Sequence, residues 1–192
     1  METQNMKRLL VITLLLTAVW QLAAGGWIHA KAWLSEVLVA GAWESTRSET
    51  DHVPPWDWAD TWPVARLSVP GLEIERYILA GASGRTLAFG PGWIENSARP
   101  GSAGKSIISG HRDTHFRFLQ QLKQGDRLVI ERPDRRLVHY AVLQQSVHHE
   151  NETGLLQPDM HNQLLLITCY PFDALVPGGP LRYVVTAEEV VM

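Results

Sequence analysis

From Leu9 to Ile28 the chain is apolar and uncharged, broken only by Thr13, Thr17 and Gln21. As a helix this run spans roughly 30 Å, about one hydrocarbon core. Lys7-Arg8 stand in front of it, which places the N-terminus in the cytoplasm by the positive-inside tendency. A cleaved signal peptide with a small-residue site at Ala23-Ala24-Gly25 is the competing reading. Against it, Trp27, Ile28, Trp33, Leu34, Val37 and Leu38 continue the apolar pattern at helical spacing, and Trp27 and Trp33 suit the outer interface. A retained anchor is therefore preferred, and either reading exports the rest of the chain.

The texture then changes twice. Glu44 to Trp62 is rich in Ser, Thr, Asp and Pro, with Pro54-Pro55-Trp56-Asp57-Trp58 in its middle. It reads as a linker packed by its tryptophans, not as a helix. After Pro63 the period falls to two. Val64–Val69 and Leu72–Leu79 flank Pro70-Gly71 as a hairpin, and Arg127–Glu131 and Arg136–Leu143 flank Pro133-Asp134 as another. Ser106-Ile107-Ile108-Ser109-Gly110-His111 is a short buried strand ending in histidine, and Phe116–Leu122 has room for one or two helical turns. Val147 to Gln163 is polar, with room for a short helix or loop. Leu164-Leu165-Leu166-Ile167-Thr168-Cys169 is a buried strand stopped by Tyr170-Pro171, and Leu181–Val191 alternates again. About seven or eight short strands with little helix predict a mostly β closed barrel or sandwich.

Composition narrows the chemistry. A net charge of -3 and a charged fraction of 19% give no nucleic-acid footprint. The one cysteine excludes an intrachain disulfide framework and a Cys-rich zinc site. Cys169 is then either a small buried hydrophobe or a nucleophile. A free thiol, with pKa roughly 8.5, is a weak nucleophile at neutral pH until a histidine or cation favours the thiolate. His111 ends one strand and Arg182 begins another, joined to the Cys169 strand by a loop short enough for the two strands to pair. Acyl transfer also needs a donor where the tetrahedral oxygen becomes negative, and Arg fills that place without losing its charge. Alone, His111 reads as a polar strand end and Arg182 as a solvated strand residue; the order His, Cys, Arg carries the functional reading.

From about Arg66 to the end the chain resembles the sortases, extracytoplasmic cysteine transpeptidases with an eight-stranded barrel. The pieces are Gly90-Pro91-Gly92, Pro100-Gly101, Ser109-Gly110-His111-Arg112-Asp113, Thr168-Cys169-Tyr170-Pro171 and Leu181-Arg182-Tyr183-Val184. The short Cys-to-Arg loop and Trp-rich lead-in look like the marine-proteobacterial type, class GN. The resemblance implies a closed eight-stranded β-barrel with short helices, preceded by one transmembrane helix. It divides the chain into a cytoplasmic start and anchor over 1–28, a juxtamembrane helix and Trp/Pro-rich linker over 29–62, and a catalytic domain over 63–192. It implies Cys169 as nucleophile, His111 as the proton carrier, and Arg182 steadying the oxyanion or substrate, with help from the backbone at Thr168. The substrate would be a secreted protein with a C-terminal Leu-Pro-x-Thr-Gly-like sorting signal, and an amine the acceptor. Neither metal nor organic cofactor is implied. The barrel would sit outside the cytoplasmic (inner) membrane, in the periplasm for that subtype.

Other readings stay open. His111 and His115 are four apart, but no Glu follows the first, which weakens a zinc pair. His148, His149, Glu150 and Glu152 could hold a cation or simply be solvated. A cysteine hydrolase on the same scaffold differs only in passing the acyl group to water. A non-catalytic, membrane-tethered barrel that binds a partner strand would have no use for the thiol.

Overall fold

The computed structural model describes residues 2–46, 52–152, 154, 162–176 and 178–190. Helix α1 covers Glu2–Thr46. Leu9, Leu10, Leu15, Val19 and Leu22 are all exposed, so the helix is apolar all round rather than striped. It is long and apolar enough to cross a membrane, with a mean hydropathy of 1.9 over 18 residues.

The chain divides into two compact units, Met1–Val37 and Leu38–Met192. In the second unit the last turns of α1 bury Val39, Ala42 and Trp43, and the Trp43 ring lies 6.3 Å from that of Tyr77. That packing carries the helix through Glu44, Ser45 and Thr46, which polar composition had assigned to the linker. Residues 52–62 are irregular and held by aromatic contacts and edge hydrogen bonds. Trp62 stacks on His52 at 4.6 Å and Trp56 meets Phe89 edge-on at 4.8 Å, while Thr61 Oγ1 donates to the Ala80 carbonyl at 2.7 Å.

Among the described residues eight strands close into a barrel in the order β1-β2-β3-β4-β7-β8-β6-β5. They are β1 (Pro63–Val69), β2 (Ile74–Ala80), β3 (Gly92–Trp93), β4 (Lys105–Ser109), β5 (Arg127–Glu131), β6 (Leu137–His149), β7 (Gln163–Tyr170) and β8 (Leu181–Glu189). A one-turn helix, α2 (Gly84–Leu87), lies between β2 and β3, and 3-10 turns occupy Pro70–Leu72 and Arg117–Gln121. The second replaces the helical turns expected over Phe116–Leu122. Antiparallel pairing of β1 with β5 closes the ring, leaving no open edge there. Arg66 and Glu131 face each other across this seam, with Arg66 Nε 2.8 Å from the buried Glu131 carboxylate. Inside, Leu67, Ile78, Ile108, Leu128, Ile130, Tyr140, Leu164, Leu166 and Val185 form the main core. On the opposite face of the β4-β7-β8 sheet, Ile107, Leu165 and Val184 form a second cluster with Ile94 and Ile167 against it.

Two strand ends differ from the sequence expectation. β6 runs on to His149, paired with β8 throughout. A bulge between Val142 and Gln144 breaks its period-two pattern where the sequence reading had ended the strand. The β4 ladder stops at Ser109, two residues before His111.

Gly92 shows how little room the closure leaves. A Cβ there would lie 2.2 Å from the Gly81 carbonyl oxygen, a backbone atom that cannot rotate away. Gly92→Ala is expected to destabilise the barrel by about 2–3 kcal/mol, an overpacking cost. That is a fall of about 5–10 °C in Tm for a domain of this size, readable by thermal unfolding.

Candidate active site

β4 and β7 are parallel, with Ile107 beside Leu165 and Ser109 beside Ile167. Beyond the ladder, the Gly110 amide donates to the Ile167 carbonyl at 3.1 Å, and the buried Thr168 hydroxyl donates to the Gly110 carbonyl at 2.7 Å. Continuing this register brings His111 level with Cys169. The small residue between the ladder and His111 has a steric cause. A Cβ on Gly110 would lie 2.8 Å from the Phe116 ring, which packs into that space.

On the other side of β7 the antiparallel register pairs Cys169 with Arg182, and β8 in turn pairs Arg182 with His148 of β6. Cys169, Arg182 and His148 therefore form one row across β7, β8 and β6, which His111 extends from just past the end of β4. Side chains alternate along a strand. Cys169 shares the face of Leu165 and Ile167, and Arg182 that of Val184, so both point to the face of the second cluster. Thr168 and Tyr183 point to the other. There Tyr183 stacks on Tyr170 at 6.1 Å and meets Phe172 at 5.1 Å, a plug of three rings at the barrel mouth under the thiol. Burial raises the Tyr183 phenol above its ordinary value, which keeps it neutral. Cys169 is half-buried and His111 exposed, so a reagent from solvent reaches both.

Arg182 is held from two sides. Its Nη2 donates to Glu150 Oε2 at 2.5 Å, and its Nη1 to the carbonyls of Gly179 at 2.5 Å and Leu181 at 3.0 Å. Glu150, read from sequence as a solvated or cation-holding residue, is thus the counter-ion of this guanidinium. His148 bridges Ser146 Oγ at 2.8 Å and Glu152 Oε2 at 2.9 Å. The His149 backbone amide, followed by His148, holds the Glu152 carboxyl below its usual range. Among the described residues no group of three or more His, Cys, Asp or Glu is placed to hold a metal ion. His111 and His115 do not share a helix, since residues 112–116 form a turn.

In the sequence Arg112 and Asp113 stand out only as the end of the Ser109-Gly110-His111-Arg112-Asp113 piece. The Arg112 side chain is 5% exposed and Asp113's 64%. Arg112 Nε donates to Asp113 Oδ1 at 2.7 Å and Nη2 to Oδ2 at 3.0 Å, while Nη1 donates to the Pro171 carbonyl at 2.6 Å and Nη2 to that of Ala174 at 3.0 Å. The hydrogen bonding between Arg112 and Asp113 shifts both groups. It raises the Arg112 guanidinium further and holds the Asp113 carboxyl below the usual range. Only the adjacency of the two residues was visible in the sequence; the carbonyls that Arg112 also donates to lie about sixty residues on.

The model of the Sortase domain family matches residues 67–190. Sortase D of Bacillus subtilis (strain 168) is 30% identical over 124 residues, covering 65% of this chain and 62% of that protein. Among solved structures, sortase A from Corynebacterium diphtheriae is 29% identical with a TM-score of 0.63, over 70% of this chain and 64% of that one. Sortase C-1 from Actinomyces oris is 27% identical with a TM-score of 0.60, over 80% of this chain and 98% of that one. The chain thus spans less than two thirds of the length of the first two.

Proposed function

The chain belongs to the sortase family, and on that premise we propose that it is a membrane-anchored cysteine transpeptidase using Cys169, His111 and Arg182. The observation that supports this reading is the pairing of Cys169 with Arg182 across β7 and β8, with His111 two residues past the end of β4, the parallel neighbour of β7. In the first half-reaction the Cys169 thiolate adds to the carbonyl carbon of the scissile amide. Arg182 and nearby backbone amides, including that of Cys169 after Thr168, face the oxygen that becomes negative. As the C–N bond breaks, the imidazolium of His111 gives its proton to the departing amine, leaving a thioester on Cys169. In the second, an acceptor amine attacks that thioester, His111 takes its proton, and the thiolate leaves. The catalysis is covalent, with one difficult step split into two.

The substrate in this reading is an extended peptide at the C-terminus of a secreted protein, of the Leu-Pro-x-Thr-Gly type. Ile94 and Ile167, half-buried against the closed cluster of Ile107, Leu165 and Val184, offer a small apolar floor beside the thiol. Residues 1–28 serve as the start and single-pass anchor, 29–62 as the tether and 63–192 as the catalytic domain. Lys7-Arg8 keep the N-terminus in the cytoplasm and the barrel outside, periplasmic where an outer membrane exists.

The test uses the full chain in detergent with a panel of peptides carrying Leu-Pro-x-Thr-Gly-like motifs, read by mass spectrometry. A peptide acyl adduct on Cys169 that passes to added amine is the expected result. Release only to water would assign a hydrolase, and no adduct from any peptide would refute the acyl-transfer reading.

A further inference from the structure

Arg112 follows His111 directly, yet has no part in the acyl-transfer steps. Its side chain is nine-tenths buried and its hydrogen bonds reach the second and fifth residues after Cys169, at the Pro171 and Ala174 carbonyls. Burying a guanidinium is costly unless it is paired and its donors are used. An apolar side chain would fill the same space without that cost, so packing alone does not account for an arginine. The fork geometry does: one planar group reaches two carbonyls and a carboxylate at once. Asp113 supplies the counter-charge from the solvent side. The Gly110 to Ile167 and Thr168 to Gly110 hydrogen bonds tie the two strand ends before the reactive residues, and Arg112 ties them again after.

We infer that Arg112 is a positioning residue, a clamp that fixes the 170–174 segment to the strand end carrying His111 and so holds thiol and imidazole in register. The inference rests on the proposed roles of His111 and Cys169. Without the clamp, residues 170–174 keep the turn hydrogen bond from the Ala174 amide to the Pro171 carbonyl, at a long 3.4 Å, but lose their tie to the 109–113 segment. Cys169 then shifts relative to His111, and small misplacements of reacting groups cost heavily.

Arg112→Gln and Arg112→Lys in the full chain test this with two readouts. The first is amide hydrogen exchange followed by mass spectrometry, which needs no substrate. Peptides covering 170–176 should exchange at least about threefold faster in Arg112→Gln, while those from β1, β2 and β5 stay unchanged. The second is kcat per folded chain, the folded fraction being taken from the same hydrogen-exchange spectra so that unfolded chains do not enter. It should fall about 10²-fold in Arg112→Gln with KM within about threefold. Lysine keeps the charge and reaches one carbonyl, so Arg112→Lys should recover to within about tenfold of the unsubstituted chain. Unchanged exchange over 170–176 overturns the clamp. So does a kcat per folded chain within twofold of the unsubstituted chain. If Arg112→Gln does not fold, the same comparisons on Arg112→Lys decide it, with about a tenfold loss expected and none overturning. Failure of the unsubstituted chain to acylate with any peptide would instead refute the transpeptidase reading, leaving hydrogen exchange to judge the clamp.

Discussion

Cys169→Ala is expected to lose every trace of peptide acyl adduct and to lower turnover by about 10⁴-fold or more. In the proposed mechanism the Cys169 thiolate forms the covalent bond, and no neighbour in the row can replace it. His111 and Arg182 remain, but alanine gives them nothing to activate. Cys169→Ser sharpens the point. It keeps the size and a hydrogen-bonding group, but a hydroxyl is far harder to ionise than a thiol and is the weaker nucleophile at neutral pH. Serine should therefore stay within about tenfold of alanine. The thiol is half-buried at a strand end rather than in the core, so Tm should move by no more than about 2–3 °C in either variant. Steady-state transfer of a fluorescent peptide to an amine, with intact-mass spectra of each variant, checks both parts. Turnover by Cys169→Ala within tenfold of the unsubstituted chain would remove the thiol from the mechanism and leave a barrel that binds without cutting.

His111→Ala should lower kcat by about 10³-fold, the middle of the range for a positioned acid–base group. In the proposed mechanism two protons depend on this ring. The amine leaving in the first half-reaction departs poorly as an anion, and the attacking amine in the second must lose a proton before the thioester collapses. Water performs both transfers slowly. His111 lies beyond the β4 ladder and is exposed, so removing the ring opens a space that solvent and small solutes enter. Added imidazole should accordingly recover part of kcat in His111→Ala and do nothing for Cys169→Ala. A variant that misfolds shows no such recovery, which separates chemistry from collapse. Activity unchanged in His111→Ala would assign the proton transfers elsewhere, with His148, at the far end of the row, the first residue to substitute next.

How far these arguments were legible in the sequence depends on how local their cause is. The anchor-length apolar run, the β1–β2 hairpin, the Cys169 strand and its stop at Tyr170-Pro171 were all legible. Each is set by residues within a few positions of one another, through period, branching or a missing amide donor. The extent of β6 was not legible, because the bulge after Val142 breaks the alternation that marks a strand. The one-turn α2 and two-residue β3 were too short to carry a period.

The sequence by itself determined the class of the fold, and it supplied the candidate residues His111, Cys169 and Arg182 in that order. It did so because period-two patterning, strand stops and a lone thiol are properties of consecutive side chains. The tertiary structure alone decided what those residues touch. Cys169 was paired with Arg182 by the register of β7 and β8, and parallel β4 ended two residues before His111 on the other side of β7. Glu150 met Arg182 only because β6 continues beside β8, and Arg112 met the Pro171 and Ala174 carbonyls only because the ends of β4 and β7 lie together. Such contacts follow from strand order and register in a closed sheet, where one residue's slip turns every side chain to the other face. No local stretch encodes that register; the whole barrel does, by burying its inner face.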